Sequence, residues 1–130
     1  IIAFEQREEG KELMETNSRK FGTPGIISLT GDFMEADHNT LPAPDAVFIG
    51  GHGGQMLPIL KKVSRHLSSN GIIVFNAVSP ESEILFQEGV QHAGLQLVGK
   101  TSITIDNNNT IHVWSASFQN ADNHSTIQSL

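Results

Sequence analysis

Cysteine is absent from this chain of 130 residues. That excludes disulfides, Cys-based zinc sites and a Cys nucleophile, and it fits a reducing cytosol, so a cytoplasmic protein is expected. Basic residues are scarce: eight Lys and Arg stand against fourteen Asp and Glu, for a net charge of −6. A protein that neutralises a phosphate backbone needs the opposite balance, so no nucleic-acid partner is expected. No apolar run approaches the roughly 18 residues that cross a bilayer, so no membrane partner is expected either. The chain also lacks an initiating methionine and a signal peptide, opening on Ile1-Ile2-Ala3-Phe4 as if in mid-strand. The expectation is one domain over residues 1–130, incomplete at its N-terminus. Hydrophobic residues at 38% are enough to build its core.

Local patterns then order the elements. Ile1 to Phe4 is a short apolar run, read as a buried strand. Arg7 to Phe21 reads as a helix with Leu13, Met14 and Phe21 on one face, broken by Gly22, Pro24 and Gly25. Ile26 to Thr30 is a second strand, followed by an irregular or helical piece to about Thr40. Asp45 to Ile49 is a third strand. From Gln55 to Leu67, Met56, Leu57, Leu60, Val63 and Leu67 recur at helical spacing. Ile72 to Phe75 is a fourth strand, and Ser79-Pro80 starts a helix that Gly94 ends. Beyond Gly94 the period shortens: Leu95 to Ile105 alternates, Asp106 to Asn109 is turn chemistry, and Ile111 to Phe118 returns as an antiparallel partner. Ile127 offers a further pairing segment. Alternating strands and helices imply an α/β fold, a mostly parallel Rossmann-like sheet with a C-terminal antiparallel hairpin.

Ligands of such sheets bind at the carboxyl ends of the strands. Glu5 stands at one of them, where a carboxylate can accept from both hydroxyls of a ribose; a solvated Glu near a helix start is the alternative. Gly31-Asp32-Phe33 follows the next strand. Asp32 can accept from an exocyclic amine and Phe33 can lie on a purine, or the three form a turn, a cap and a core Phe. Gly50-Gly51-His52-Gly53-Gly54 places four glycines in five positions. Either the backbone approaches a ligand there or a tight turn needs positive φ. The segment matches neither a phosphate P-loop nor the GxGxxG dinucleotide pattern. His52 can touch substrate or move a proton near neutral pH, or it is an exposed loop residue. His38, His66, His92, His112 and His124 show no ligand spacing, so no metal site is expected. Asn108-Asn109-Thr110 and Asn123-His124-Ser125 fit the glycosylation pattern but are incidental in a cytosolic setting.

The run Pro44-Asp45-Ala46-Val47-Phe48-Ile49-Gly50-Gly51-His52-Gly53-Gly54 resembles the signature of the decarboxylating precorrin methyltransferases of cobalamin biosynthesis. Ala3-Phe4-Glu5-Gln6 is similar to that family's second strand with its ribose-binding acid, and Gly31-Asp32 to the end of its third. Gly71 to Val78 resembles its fifth strand. Ala121-Asp122-Asn123-His124 resembles a closing Ala-x-Asn-Pro, with His124 where proline is usual.

The resemblance implies a class I methyltransferase sheet binding S-adenosyl-L-methionine, with the first strand and its glycine-rich loop missing from this chain. In the family order that strand lies between those ending at Phe4 and starting at Asp45. It further implies a tetrapyrrole substrate, a homo-oligomer (a tetramer in this family), and methyl transfer to ring carbons with loss of carbon dioxide from an acetate. The implied cofactor-binding residues are Glu5, Gln6, Gly31, Asp32, Phe33, Gly50 and Gly51, and His52 is the catalytic candidate. Positions 5, 32 and 50–52 are expected to converge on one adenosyl groove. Lys61, Lys62 and Arg65 either gather the acidic substrate or form a solvated face. Three readings compete: another small-molecule or RNA methyltransferase, a nicotinamide oxidoreductase, and a non-catalytic assembly module. The terminal hairpin disfavours the oxidoreductase.

Overall fold

A computed structural model describes residues 1–22, 27–37, 39–107 and 109–119, apart from the side chains of Ser28 and Thr30. The expectations placed on Pro24, Gly25, Ile26, His38, Asn108, the Ala121–His124 motif and Ile127 lie outside the described residues. The chain divides into two compact units, Ile1–Leu41 and Pro42–Leu130.

In the first unit, β1 (Ile2–Glu5) and β2 (Ile27–Thr30) pair in parallel, with Ile2 opposite Ile27 and Glu5 opposite Thr30. Parallel neighbours need a crossover, and α1 (Glu8–Lys20) lies in it. Its ends suit the helix dipole, with Glu8 and Glu9 in the first turn and Arg19 and Lys20 in the last. Arg7 and Phe21, expected inside the helix, are its caps. The expected apolar face is corrected too. Leu13 and Phe21 are 62% and 70% exposed, and the buried positions of α1 are Gly10 and Ser18, four residues to either side of half-buried Met14. The reason is close approach: the smallest residue of the helix is the one that meets β1, through the Glu5 side chain. After β2 the chain runs through turns rather than a helix, with Asp32 Oδ1 accepting from the Met34 N–H at 2.9 Å.

The second unit holds β3 (Ala46–Ile49), α2 (Met56–His66), β4 (Ile72–Ala77), α3 (Pro80–His92), β5 (Leu95–Asp106) and β6 (Asn109–Phe118). Its sheet has the order β3-β4-β6-β5. β3 and β4 are parallel; β6 runs antiparallel to both β4 and β5. The hairpin expected from the sequence is present; of the pairs in this sheet β3–β4 is parallel, while β4–β6 and β5–β6 are antiparallel, so this sheet by itself is not the mostly parallel one expected. The core is the face predicted for α2: Met56, Leu60, Val63 and Leu67 are buried, together with Ile73 and Phe75 of β4 and Phe86 and Val90 of α3. Ser79 caps α3 by accepting from the Ser82 N–H at 3.2 Å, with Pro80 in the first turn, as the sequence led us to expect. β4 ends where Ala77 faces His112. Past that point the remainder of β5 and β6 continues as a two-stranded ribbon, at the carboxyl edge of β4.

Candidate active site

The first unit gathers Glu5, Asp32 and Phe33 at the carboxyl ends of β1 and β2. The Gly31 N–H donates to the Glu5 carbonyl at 3.1 Å, which places Asp32 beside the end of β1. Phe33 turns back so that its ring meets Phe4 edge-on, centroids 5.3 Å apart. The Glu5 carboxylate is held locally. Its Oε1 accepts from the Arg7 N–H at 3.0 Å and from Arg7 Nε at 3.3 Å. The backbone N–H of Arg7, followed by its guanidinium, holds the Glu5 carboxyl below the usual carboxylate range. Oε1 therefore orients the carboxylate, and among the described residues Oε2 has no hydrogen-bond partner and is still able to accept. Gln6 is exposed in the bend between β1 and α1.

In the second unit the glycine segment leaves β3 at the sheet's carboxyl edge. Its four glycines fall into two pairs. Gly53 and Gly54 have φ of +55° and +78°, conformations that a side chain resists, so this pair is explained by the turn. Gly50 and Gly51 do not. A Cβ at Gly51 would meet nothing within 4 Å, and one at Gly50 only the Phe48 ring at 3.5 Å. Nothing among the described residues requires that pair to be bare, which leaves an open strip of backbone. His52, between the pairs, is half-buried with its ring edge toward Phe75 at 6.1 Å. Its Nδ1 accepts from the Gly54 N–H at 3.1 Å, and its Nε2 lies 3.0 Å from Ser82 Oγ.

Behind this edge Glu83, in the first turn of α3, joins the helix to the hairpin. Its Oε1 accepts from Trp114 Nε1 at 2.8 Å and from Lys100 Nζ at 3.1 Å, and Lys100 lies over the Trp114 ring. Arg7, Gly10, Ser82 and this Glu83–Lys100–Trp114 cluster were not singled out by sequence reasoning. Only Gly10 left a signal, a glycine inside a helix at a cost of roughly 1 kcal/mol against alanine. Among the described residues no three His, Asp or Glu are grouped to hold a metal ion, and no helix is long and apolar enough to cross a membrane.

Residues 1–122 match the family model described as the precorrin methyltransferase domain. The chain belongs to this family. It is 34% identical over 105 residues to a precorrin-6Y C(5,15)-methyltransferase [decarboxylating] of Sinorhizobium sp, a match covering 81% of this chain and 24% of that protein. The chain thus spans about a quarter of the length of that relative. Among solved structures, precorrin-6y C5,15-methyltransferase from Geobacter metallireducens GS-15 aligns with a TM-score of 0.79 at 26% identity, covering 92% of this chain and 67% of that one. An S-adenosylmethionine-dependent O-methyltransferase of Thermotoga maritima aligns with a TM-score of 0.70 at 14% identity over 92% of this chain and 50% of that one, a likeness of fold alone. The α/β class I methyltransferase fold expected from the sequence is the fold of these neighbours.

Proposed function

We propose that this chain is the methyltransferase domain of an enzyme that methylates ring carbons of a precorrin and removes carbon dioxide from an acetate side chain, in cobalamin biosynthesis. The observation that carries the reading is the bare Gly50-Gly51 backbone at the end of β3, in a chain whose family match runs from residue 1 to 122. S-adenosyl-L-methionine, when bound, supplies an electrophilic methyl group on a sulfonium. The donor set fits it. Glu5 offers an oriented carboxylate whose Oε2 is open to ribose hydroxyls, and Gln6 adds an exposed amide beside it. Asp32, with Oδ1 committed to Met34, keeps Oδ2 for an exocyclic amine, and Phe33 offers a ring to the purine. In the second unit Gly50 and Gly51 leave bare backbone for the methionine portion and the substrate; in the first, Gly31 has a φ of +126° that turns the chain toward Asp32.

The electron-rich macrocycle needs no protein nucleophile, so the work of these residues is alignment, worth up to roughly 7–11 kcal/mol. His52, the catalytic candidate of the sequence, stays in the site through its contacts with the Gly54 N–H and Ser82 Oγ. The substrate carries many carboxylates, and Lys61, Lys62 and Arg65 on α2 are cations that can gather it despite the net charge of −6. The homo-oligomer and the cytoplasmic setting belong to the same reading.

Calorimetry with S-adenosylhomocysteine, on the protein with its natural flanking residues, tests the proposal. Micromolar binding supports the enzyme. An absence of heat in several buffers favours a non-catalytic module that keeps the fold.

A further inference from the structure

The imidazole of His52 is committed at both nitrogens, and the two contacts have a direction. A backbone N–H only donates, so Nδ1, 3.1 Å from the Gly54 nitrogen, carries a lone pair. A neutral ring then bears its proton on Nε2, and at 3.0 Å Ser82 Oγ must accept it. The Ser82 hydroxyl, acting as acceptor, keeps its own hydrogen to give. Among the described residues that hydrogen has no acceptor. The Ser82 N–H is taken up separately by the Ser79 cap at 3.2 Å, and the next residue, Glu83, is tied to Trp114 and Lys100. Ser82 is therefore fixed on the first turn of a helix, half-buried, at the edge of the sheet where the glycine segment emerges.

We propose that Ser82 is the group that meets the substrate, donating its O–H to a carboxylate oxygen of the tetrapyrrole, and that His52 is the positioning residue behind it. The chain of donors runs from Gly54 N–H to His52 Nδ1, and from His52 Nε2–H through Ser82 Oγ–H outward. Each donor polarises the next, and the outermost one suits an anionic acceptor. In this arrangement His52 presents no free lone pair, so it aims and sharpens the hydroxyl rather than abstracting a proton itself. The inference rests on the methyltransferase reading above and adds the atom that recognises the substrate.

The test uses the protein with its natural flanking residues, in the wild-type form and as Ser82→Ala, Ser82→Thr and His52→Phe. Ser82→Ala is expected to raise the KM for the precorrin roughly tenfold or more, the size of one hydrogen bond to a charged group, while S-adenosylhomocysteine affinity holds. Ser82→Thr restores the KM because it keeps the hydroxyl. Nitrogen-15 spectra of His52 should show the Nε2–H tautomer in the wild type and a shifted Nε2 resonance in Ser82→Ala, which reports the His52–Ser82 contact; the rise in KM at unchanged S-adenosylhomocysteine affinity, rescued by Ser82→Thr, is what a merely structural serine would not produce. His52→Phe should raise the KM less than Ser82→Ala. An unchanged KM in Ser82→Ala, or an Nδ1–H tautomer in the wild type, overturns the inference. Loss of S-adenosylhomocysteine binding in the wild type sinks the methyltransferase reading instead, and the two failures are told apart by calorimetry.

Discussion

The carboxylate of Glu5 lies against the bare Cα of Gly10: a Cβ built at position 10 would stand 2.6 Å from the Glu5 Cδ and 3.0 Å from Oε2, and closer still to Cγ. The helix gives up a side chain so that the strand's acid keeps its place. Gly10→Ala should therefore gain helix propensity, roughly 1 kcal/mol, while pushing the flexible Glu5 side chain aside. We expect the melting temperature to hold and S-adenosylhomocysteine affinity to fall on the order of tenfold, as for Glu5→Ala. In a Glu5→Ala background the glycine substitution should add nothing. Additive losses in calorimetry would show that the two residues act separately.

Gly51 separates ligand approach from turn geometry. Since a Cβ there meets nothing within 4 Å, Gly51→Ala should change stability by no more than about 0.5 kcal/mol. Cofactor or substrate affinity should nevertheless drop. Gly53→Ala, by contrast, puts a side chain on a residue with φ of +55° and should cost roughly 1–2 kcal/mol of stability. Paired thermal melts and binding isotherms decide; a stable Gly51→Ala variant that binds normally removes this glycine from the site.

Glu83 should make the second unit acid-sensitive. Partial burial pushes its carboxyl up, but hydrogen bonds from Lys100 and Trp114 and the nearby charge of His112 outweigh this and leave it below the usual range. A carboxyl whose folded pKa is depressed stabilises the fold above its unfolded value, and the contribution is lost as pH falls through the folded one. Wild type and Glu83→Gln should thus differ in melting temperature near neutral pH and converge in acid. Parallel curves across the whole range would mean that the carboxylate charge plays no part in holding the hairpin to α3.

Leu60 is fully buried, and a Cβ on Gly89 of α3 would stand 2.7 Å from its Cδ1. Leu60→Ala should cost about 2–5 kcal/mol, and Gly89→Ala about 1–3 kcal/mol through overpacking. The double variant is expected to be more stable than the sum of the two, because the new methyl group fills part of the new cavity. Denaturant unfolding of the four proteins measures the coupling, and simple additivity would show that α2 and α3 do not meet at this pair.

How far the fold was legible follows from which signals are local. The buried face of α2 could be read directly, since Met56, Leu60, Val63 and Leu67 repeat at the period of a helix. Ser79-Pro80 marked the start of α3 because capping needs only residues a turn apart. The same logic misled at α1, where the spacing of Leu13, Met14 and Phe21 suggested a buried face that Gly10 and Ser18 occupy instead. Periodicity reports which residues share a side of a helix, but not how near a neighbouring strand comes. At the glycine segment, sequence alone left turn and ligand approach as alternatives; the backbone angles account for Gly53 and Gly54 as turn residues and leave Gly50 and Gly51 without that explanation.

Element order, helix limits to within a residue or two, the hairpin and the family are properties of the chain read from end to end, because turn chemistry, capping and hydrophobic period act over a few neighbouring residues. The pairing of His52 with Ser82, thirty positions apart, and of Glu83 with Trp114, thirty-one apart, belongs to the tertiary structure. Such contacts depend on strand register and on where a helix docks, which no local pattern encodes. The lowered pKa of Glu83 follows from those long-range contacts.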